Sequence, residues 1–329
     1  MRRRGLPLLA LTTVTALLAA TAACQRASPA AAGPVRVRVA HVPSTLFAPL
    51  YVAEAKGYFE DAGLAVELNK VKTGQDAVPL AGTGKVDAVA AGFSAGLFNA
   101  MAKGVEVKVA ASMGGSTGAH PSPTTLEGSR LLADSGELTR PEDLRGRKVA
   151  VAGGGGAAGG YQLDATLRSV GLTVKDVTVV NVAIPDMKNA LANGGVDAAM
   201  APAPFTTAME ADGTAKPLAV PPPGTTASGL VLGSRFDGTP GAAKFLTALR
   251  RAAADLQGDG AKSEEVLAAL SRATGQSIEV LRATPPYRWT PDLAPDADQL
   301  TAQQRAYDTA GLLESAPLPP ERLVARTTG

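Results

Sequence analysis

Residues Lys148–Leu167 read KVAVAGGGGAAGGYQLDATL. A short Val/Ala run leads into glycines, and a helix-compatible stretch follows. That order is strand, tight loop, helix. Gly154, Gly156 and Gly159 fit G-x-G-x-x-G, the spacing of dinucleotide-binding loops. The fit is cheap, because a run of Gly and Ala satisfies many spacings. The next strand-like run, VTVVN, ends at Asn181, without the acidic residue such a loop uses for a ribose. The glycine loop therefore needs another role, and the rest of the chain supplies one.

A second stretch repeats its plan. VRVRVAHVPS (Val35–Ser44) runs through a helical pattern to Gly63-Leu64 and then AVELN. The first stretch likewise runs to Gly171-Leu172 and then VTVVN. Asp76 precedes Val86-Asp87-Ala88 by the spacing at which Asp186 precedes Val196-Asp197-Ala198. Gly84 and Gly194 take matching places, and both halves go on to Ala-Met, at Ala100-Met101 and Ala208-Met209. Each copy reads β-α-β-α-β: strands at Val35–Ala40, Ala65–Leu68 and Val86–Ala90, with helices at Ala48–Ala62 and around Ala77–Ala81. Alternation of this length gives a parallel sheet with right-handed crossovers. Two copies give two similar α/β lobes, with ligand expected beyond the carboxyl ends of the strands. Leu230–Gly329 differs. It reads as a short strand at Leu230–Leu232 and helices over Gly241–Leu256, Ser263–Ala273 and Ala297–Leu313, expected to pack on lobe one. Trp289, in PPYRWTPDL, reads as a packing residue in a surface strap.

The beginning of the chain places it outside the cytoplasm. Arg2, Arg3 and Arg4 precede an apolar run, Leu6–Ala20, too short for an ordinary membrane span, and small residues then lead to Thr21-Ala22-Ala23-Cys24. This is the pattern of a secretory signal. It resembles a bacterial lipobox, with Thr21 where Leu or Val is usual. Residues 1–23 are thus read as a signal peptide, Cys24 as a lipid anchor, and 24–34 as a flexible tether. The chain has one cysteine, so it has no internal disulfide. A net charge of +2 gives no electrostatic case for nucleic acid. Its two histidines, His41 and His120, are not spaced as a metal pair, so no metal or other cofactor is expected.

AHVPSTLFAPLYVAEAKGYFEDAGLAVEL resembles the opening of solute-binding proteins of the nitrate, sulfonate, taurine and thiamine-precursor importers. Lys56-Gly57-Tyr58-Phe59-Glu60 and Gly63-Leu64 carry the match. LAGTGKVDAVAAG, LTRPEDLRGRKVAV (with Arg147 where the family has Lys) and LTAQQRAYDTAGLLESAPLPPERLV extend it over nearly all of the chain beyond the leader. The resemblance implies the type II periplasmic binding protein fold: α/β, two similar lobes with parallel-rich sheets and a hinge, and C-terminal helices on lobe one. Lobe one would comprise 35–125 and 228–329, and lobe two 138–220. The Gly/Pro/Ser-rich stretches Gly114–Thr125 and Pro221–Ser228 would be the crossings. The function implied is capture of a small solute for an ABC permease and its ATPase by a monomer anchored through Cys24 at the outer face of the cytoplasmic membrane. It is not an enzyme on this reading.

The site is expected between the lobes. From lobe one come Pro43, Ser44, Thr45 and Phe47 after the first strand, Gly74 and Gln75 after the second, and Gly92, Phe93 and Ser94 after the third. From lobe two come Gly156, Gly159 and Gly160 of the glycine loop, Tyr161, Ile184, Pro185 and the loop Pro202–Phe205. The glycine-loop N–H groups and the helix dipole suit an oxyanion. The leading ligand is an alkanesulfonate, taurine or nitrate-like anion. The alternative is a thiamine-precursor pyrimidine or other aromatic solute held by Phe47, Tyr161 and Phe205. Asp76 and Asp186 are expected to cap helices, and Asp87 and Asp197 to bond backbone. Pyrimidine-forming enzymes of this fold carry a cysteine-rich motif that this chain lacks. A solute sensor fits the sequence as well as an importer component does.

Overall fold

The computed structural model describes residues 33–71 and 73–326, without the side chain of Gln75. Cys24, the leader and the tether up to residue 32 lie outside the described residues. Two five-stranded sheets organise the rest. In the first, β1 (Val35–His41), β2 (Leu64–Lys70) and β3 (Ala88–Gly92) are parallel, joined through α1 (Ala48–Ala55), α2 (Tyr58–Asp61) and α3 (Gly74–Gly82). After α4 (Ala95–Ala102) and β4 (Val107–Ser112), the chain crosses to the second sheet.

There it forms β5 (Thr124–Ser129), α5 (Arg130–Ser135), β6 (Lys148–Val151), α6 (Ala158–Arg168), β7 (Thr178–Asn181), α7 (Met187–Ala192), β8 (Ala198–Pro202), α8 (Phe205–Ala211) and β9 (Ala215–Ala219). It returns as β10 (Ser228–Gly233), followed by α9 (Pro240–Asp255), α10 (Glu264–Thr274), α11 (Ile278–Ala283), α12 (Ala297–Thr309) and α13 (Pro320–Leu323).

The strand orders are β2-β1-β3-β10-β4 and β7-β6-β8-β5-β9. The duplication read in the sequence is thus a duplication of topology. Each sheet is parallel-rich rather than all parallel, because each lobe receives one antiparallel strand at the crossing: β10 lies antiparallel to β3 and β4, and β5 to β8 and β9. The second sheet is entered at Thr124, ahead of the Leu138 entry expected from the sequence. The two crossings pair with each other: Ser116 N donates to Thr225 O, and Gly224 N donates to Ser116 O.

Local chemistry explains where elements differ from expectation. The helix expected over Ala48–Ala62 is two helices, because Gly57 takes a left-handed φ of 70° between α1 and α2. Asp76 does not cap α3. Thr73 does, its Oγ1 accepting from Asp76 N and donating to Asp76 Oδ2. Asp186 occupies the cap position of α7 without a side-chain cap bond. Asp87 and Asp197 act as read: Asp87 Oδ2 accepts from Arg38 N at 2.8 Å, and Asp197 Oδ2 from Lys148 N at 2.7 Å. Each carboxylate ties the start of one strand to its neighbour.

α9 and α10 pack on α1, as expected of C-terminal helices on lobe one, but α12 touches both α4 and α6 and so bridges the lobes. The strap is not superficial at Trp289. That ring is buried, and its Nε1 donates to Leu46 O at 2.9 Å.

Candidate ligand-binding cleft between the lobes

A cleft of about 360 Å³ lies where strand ends of the two sheets face each other. The first sheet side gives Leu46, Thr73, Gly74, Gly92 and Ser94. The second gives Thr124, Ala152, Gly153, Ala157, Ala158, Gly159, Gln162, Ile184, Met200 and Pro202, and Tyr287 closes one end.

Three helices begin at this cleft. α3 starts at Gly74 behind Thr73, α4 starts behind Ser94, and α6 starts at Ala158. Each contributes the positive end of its dipole, about half an elementary charge. Ser94 Oγ accepts from Leu97 N at 3.2 Å, which leaves its hydroxyl proton for a ligand. Ala158 and Gly159 are in the first turn of α6, where N–H groups have no intrahelical acceptor, and neither N–H meets another acceptor among the described residues. Gln162 lies one turn on, and its side-chain amide has no partner among the described residues. No lining residue carries a charge. The field in the cleft is therefore set by helix ends and unpaired donors.

The glycine loop is built to let its backbone approach the opposite lobe. Gly153 has φ 78°, and its N–H donates to Asn181 Oδ1 at 2.9 Å. Asn181, the last residue of β7, thus holds the loop through its amide. A Cβ on Gly160 would lie 2.1 Å from Gly155 O, so the loop folds back on α6 there. Gly156 faces the first lobe, its carbonyl accepting from Ala95 N at 2.9 Å.

Of the expected contacts, Ser94 and Gly159 line the cleft, as do Gly74, Gly92, Ile184 and Pro202. Pro43, Ser44 and Thr45 lie beside it without lining it. Ser44 Oγ accepts from Leu46 N, and Leu46 is the residue that reaches in. Phe47 and Phe93 are fully buried in the first lobe's core. Gln75 sits in the first turn of α3. Gly160 faces α12. Tyr161 is buried and donates to Gln299 Oε1 of α12 at 2.8 Å. Pro185 is exposed beside Ile184, and Phe205 begins α8 at 37% exposure, outside the lining.

Helical phase explains the exchange of Tyr161 for Gln162. Ala158, Gly159 and Gln162 share a face (i, i+1, i+4), and Tyr161 points away from it. That signal was in the sequence once the helix start was known. Thr124 and Tyr287 had no comparable signal. Tyr287 comes from the strap, buried, with its phenol pushed up to about 12 by that burial. Its hydroxyl donates to Pro123 O at 3.1 Å and lies 3.2 Å from Thr124 Oγ1.

The lobes meet behind the cleft at Tyr307 of α12. Its hydroxyl lies 2.9 Å from Phe93 O and 3.0 Å from Ala157 O, one carbonyl from each lobe. One proton serves two acceptors, so the phenol acts as a shared pin.

This two-lobed architecture is that of periplasmic binding proteins. The alkanesulfonate-binding protein SsuA from Xanthomonas axonopodis pv. citri, bound to MOPS, superposes with a TM-score of 0.65 at 21% identity, over 89% of this chain and 99% of that one. The periplasmic aliphatic sulphonate binding protein SsuA from Escherichia coli gives 0.67 at 17%, over 88% and 92%. The periplasmic nitrate-binding protein NrtA from Synechocystis PCC 6803 gives 0.62 at 15%, over 86% and 83%. These likenesses establish the fold. Residues 44–226 match the NMT1/THI5-like family model, and the chain belongs to that family. It is also 33% identical over 151 residues to 4-amino-5-hydroxymethyl-2-methylpyrimidine phosphate synthase of Aspergillus parasiticus, a match that spans 46% of this chain and 40% of that enzyme.

Proposed function

We propose that the protein is the extracytoplasmic solute-binding lipoprotein of an ABC importer, and that it captures a small organic oxyanion in the interlobe cleft. With the second sheet entered at Thr124, lobe one would comprise 35–123 and 228–329, lobe two 124–220, and the paired crossings the hinge. The observation that carries the ligand class is the convergence of three helix N-termini on a cleft whose lining has no carboxylate. Each dipole end favours a nearby anion by about 0.3–1 kcal/mol. Ala158 N, Gly159 N, Ser94 Oγ and Gln162 supply donors to the oxygens, and Leu46, Ile184 and Met200 offer an apolar wall to an alkyl body. The sulfonate and nitrate binders among the structural neighbours favour the same class.

A pyrimidine of the thiamine-precursor type is the second reading. The Aspergillus parasiticus relative favours it, as does Tyr287 in the lining. Calorimetry against methanesulfonate, taurine, nitrate and 4-amino-5-hydroxymethyl-2-methylpyrimidine discriminates. Sulfonate binding that weakens roughly 5- to 30-fold in Gln162→Ala, the loss of one polar contact, is the expected result. Binding of the pyrimidine alone would overturn the oxyanion reading. Mass spectrometry of the mature N-terminus should find a diacylglyceryl group on Cys24, and an unmodified thiol there would remove the lipoprotein assignment.

A further inference from the structure

A second pocket, of about 400 Å³, lies at the outer edge of the first lobe and shares no lining residue with the cleft. It is bounded by the ends of β1 and β2, by α1 and by α10. His41, the last residue of β1, is 1% exposed and lines it. The ring is held by Tyr51, also 1% exposed: His41 Nδ1 and Tyr51 Oη are 2.9 Å apart.

Two acceptors are open to the Tyr51 proton, and the nearer is taken as its bond. Ser44 N donates to Tyr51 Oη. The phenol, pushed up to about 12 by burial, keeps its single proton. The nearer acceptor is His41 Nδ1 at 2.9 Å, against Val42 O at 3.3 Å. With Nδ1 accepting, the proton of the neutral imidazole is on Nε2. Burial first, and Lys70 beside it, lower the ring's pKa against the pull of the Val42 backbone, which favours the neutral form. Besides Tyr51 the ring meets the Val42 backbone, and it lines the pocket, toward which Nε2 is assigned as the donor in the proposal below.

The rim carries Lys70, Arg272 and Glu54. Among the described residues none of the three is in an ion pair; the pairs of this lobe lie elsewhere. Two cations and one carboxylate leave one positive charge without a counterpart. A buried neutral donor, an apolar floor from Leu68 and an unbalanced cation pair are the complement of a small anion with a short alkyl body.

We propose that this pocket is a second binding site, for a small monovalent organic oxyanion such as a sulfonate or carboxylate. The site is independent of the cleft and of the reading given to it.

The chain has two histidines, so a ¹⁵N-histidine NMR spectrum resolves this site directly. His41 should show the Nε2–H tautomer. Titration with methanesulfonate at constant ionic strength, balanced with sodium chloride, should shift His41 Nε2 saturably and leave His120 unmoved. The double variant Lys70→Gln/Arg272→Gln, checked for folding by circular dichroism, should lose at least tenfold in affinity. Gln162→Ala in the cleft should leave the His41 curve unchanged. An Nδ1–H tautomer, an equal shift with chloride alone, or loss of the His41 response in Gln162→Ala would each overturn the proposal. Calorimetric heat without a His41 shift would overturn it too, while leaving the cleft reading standing.

Discussion

The two sheets share a strand order, yet at one register position they are filled in opposite ways. Val39 pairs with Ala88 in the first sheet, and Val149 with Ala198 in the second. The next residues, Val89 and Ala199, face Val231 and Glu127 on the antiparallel strands. Both of those strands change register at the same step, Leu230/Val231 and Leu126/Glu127. Val231 is sealed in a core with Phe98 and Tyr307. Glu127 is as fully buried as Val231, but it meets α8: Thr206 Oγ1 donates to Glu127 Oε1, Glu210 is adjacent, and Oε2 has no partner among the described residues. Duplication fixed the backbone, whereas the helix packed on each sheet decided which side chain the position holds. One lobe has an apolar centre and the other a titratable one.

The comparison can be broken in several ways. The largest effect should come from Tyr307, which joins the halves. Tyr307→Ala removes a buried ring and the pin on Phe93 O and Ala157 O, and should cost about 3–5 kcal/mol in denaturant unfolding. Small-angle scattering should show the lobes further apart in that variant. An unchanged scattering profile would mean that α12 does not hold the halves together.

Next comes pH. Burial, reinforced by Glu210, pushes Glu127 up from the usual 4.5 to about 8, against the pull of the Thr206 hydrogen bond. Between these values the unfolded chain has released the proton and the folded chain still holds it. Stability should therefore fall as pH rises from about 4.5 to about 8, by at most about 1.4 kcal/mol per pH unit, and level off above. Glu127→Gln should flatten that slope. Identical pH profiles for the two proteins would refute the assignment. Val231 has no such term, so the slope belongs to the second lobe.

The twin aspartates sharpen the symmetry. Asp87→Ala and Asp197→Ala each remove a carboxylate that accepts a backbone N–H, and each should cost about 1–3 kcal/mol. A large loss at one with none at the other would show that the matching carboxylates contribute unequally despite the shared topology. The smallest expected effect is Tyr161→Phe, which gives up the bond to Gln299 Oε1 for about 0.5–1.5 kcal/mol and should leave ligand affinity unchanged. A fall in affinity there would return Tyr161 to the binding surface.

The sequence by itself determined the duplicated β-α-β order, the paired aspartates, the glycine loop as the head of a helix, and the family. These are local or periodic signals, and a repeat doubles each of them. Tertiary structure alone decided the antiparallel fifth of each sheet, the burial of Phe47, Phe93 and Tyr161, and the arrival of Thr124 and Tyr287 in the cleft. A cleft wall is assembled from segments far apart in the chain. Which face of a helix or strap turns toward it depends on what packs behind, and α12 and the Trp289 strap provide that backing from the opposite end of the sequence.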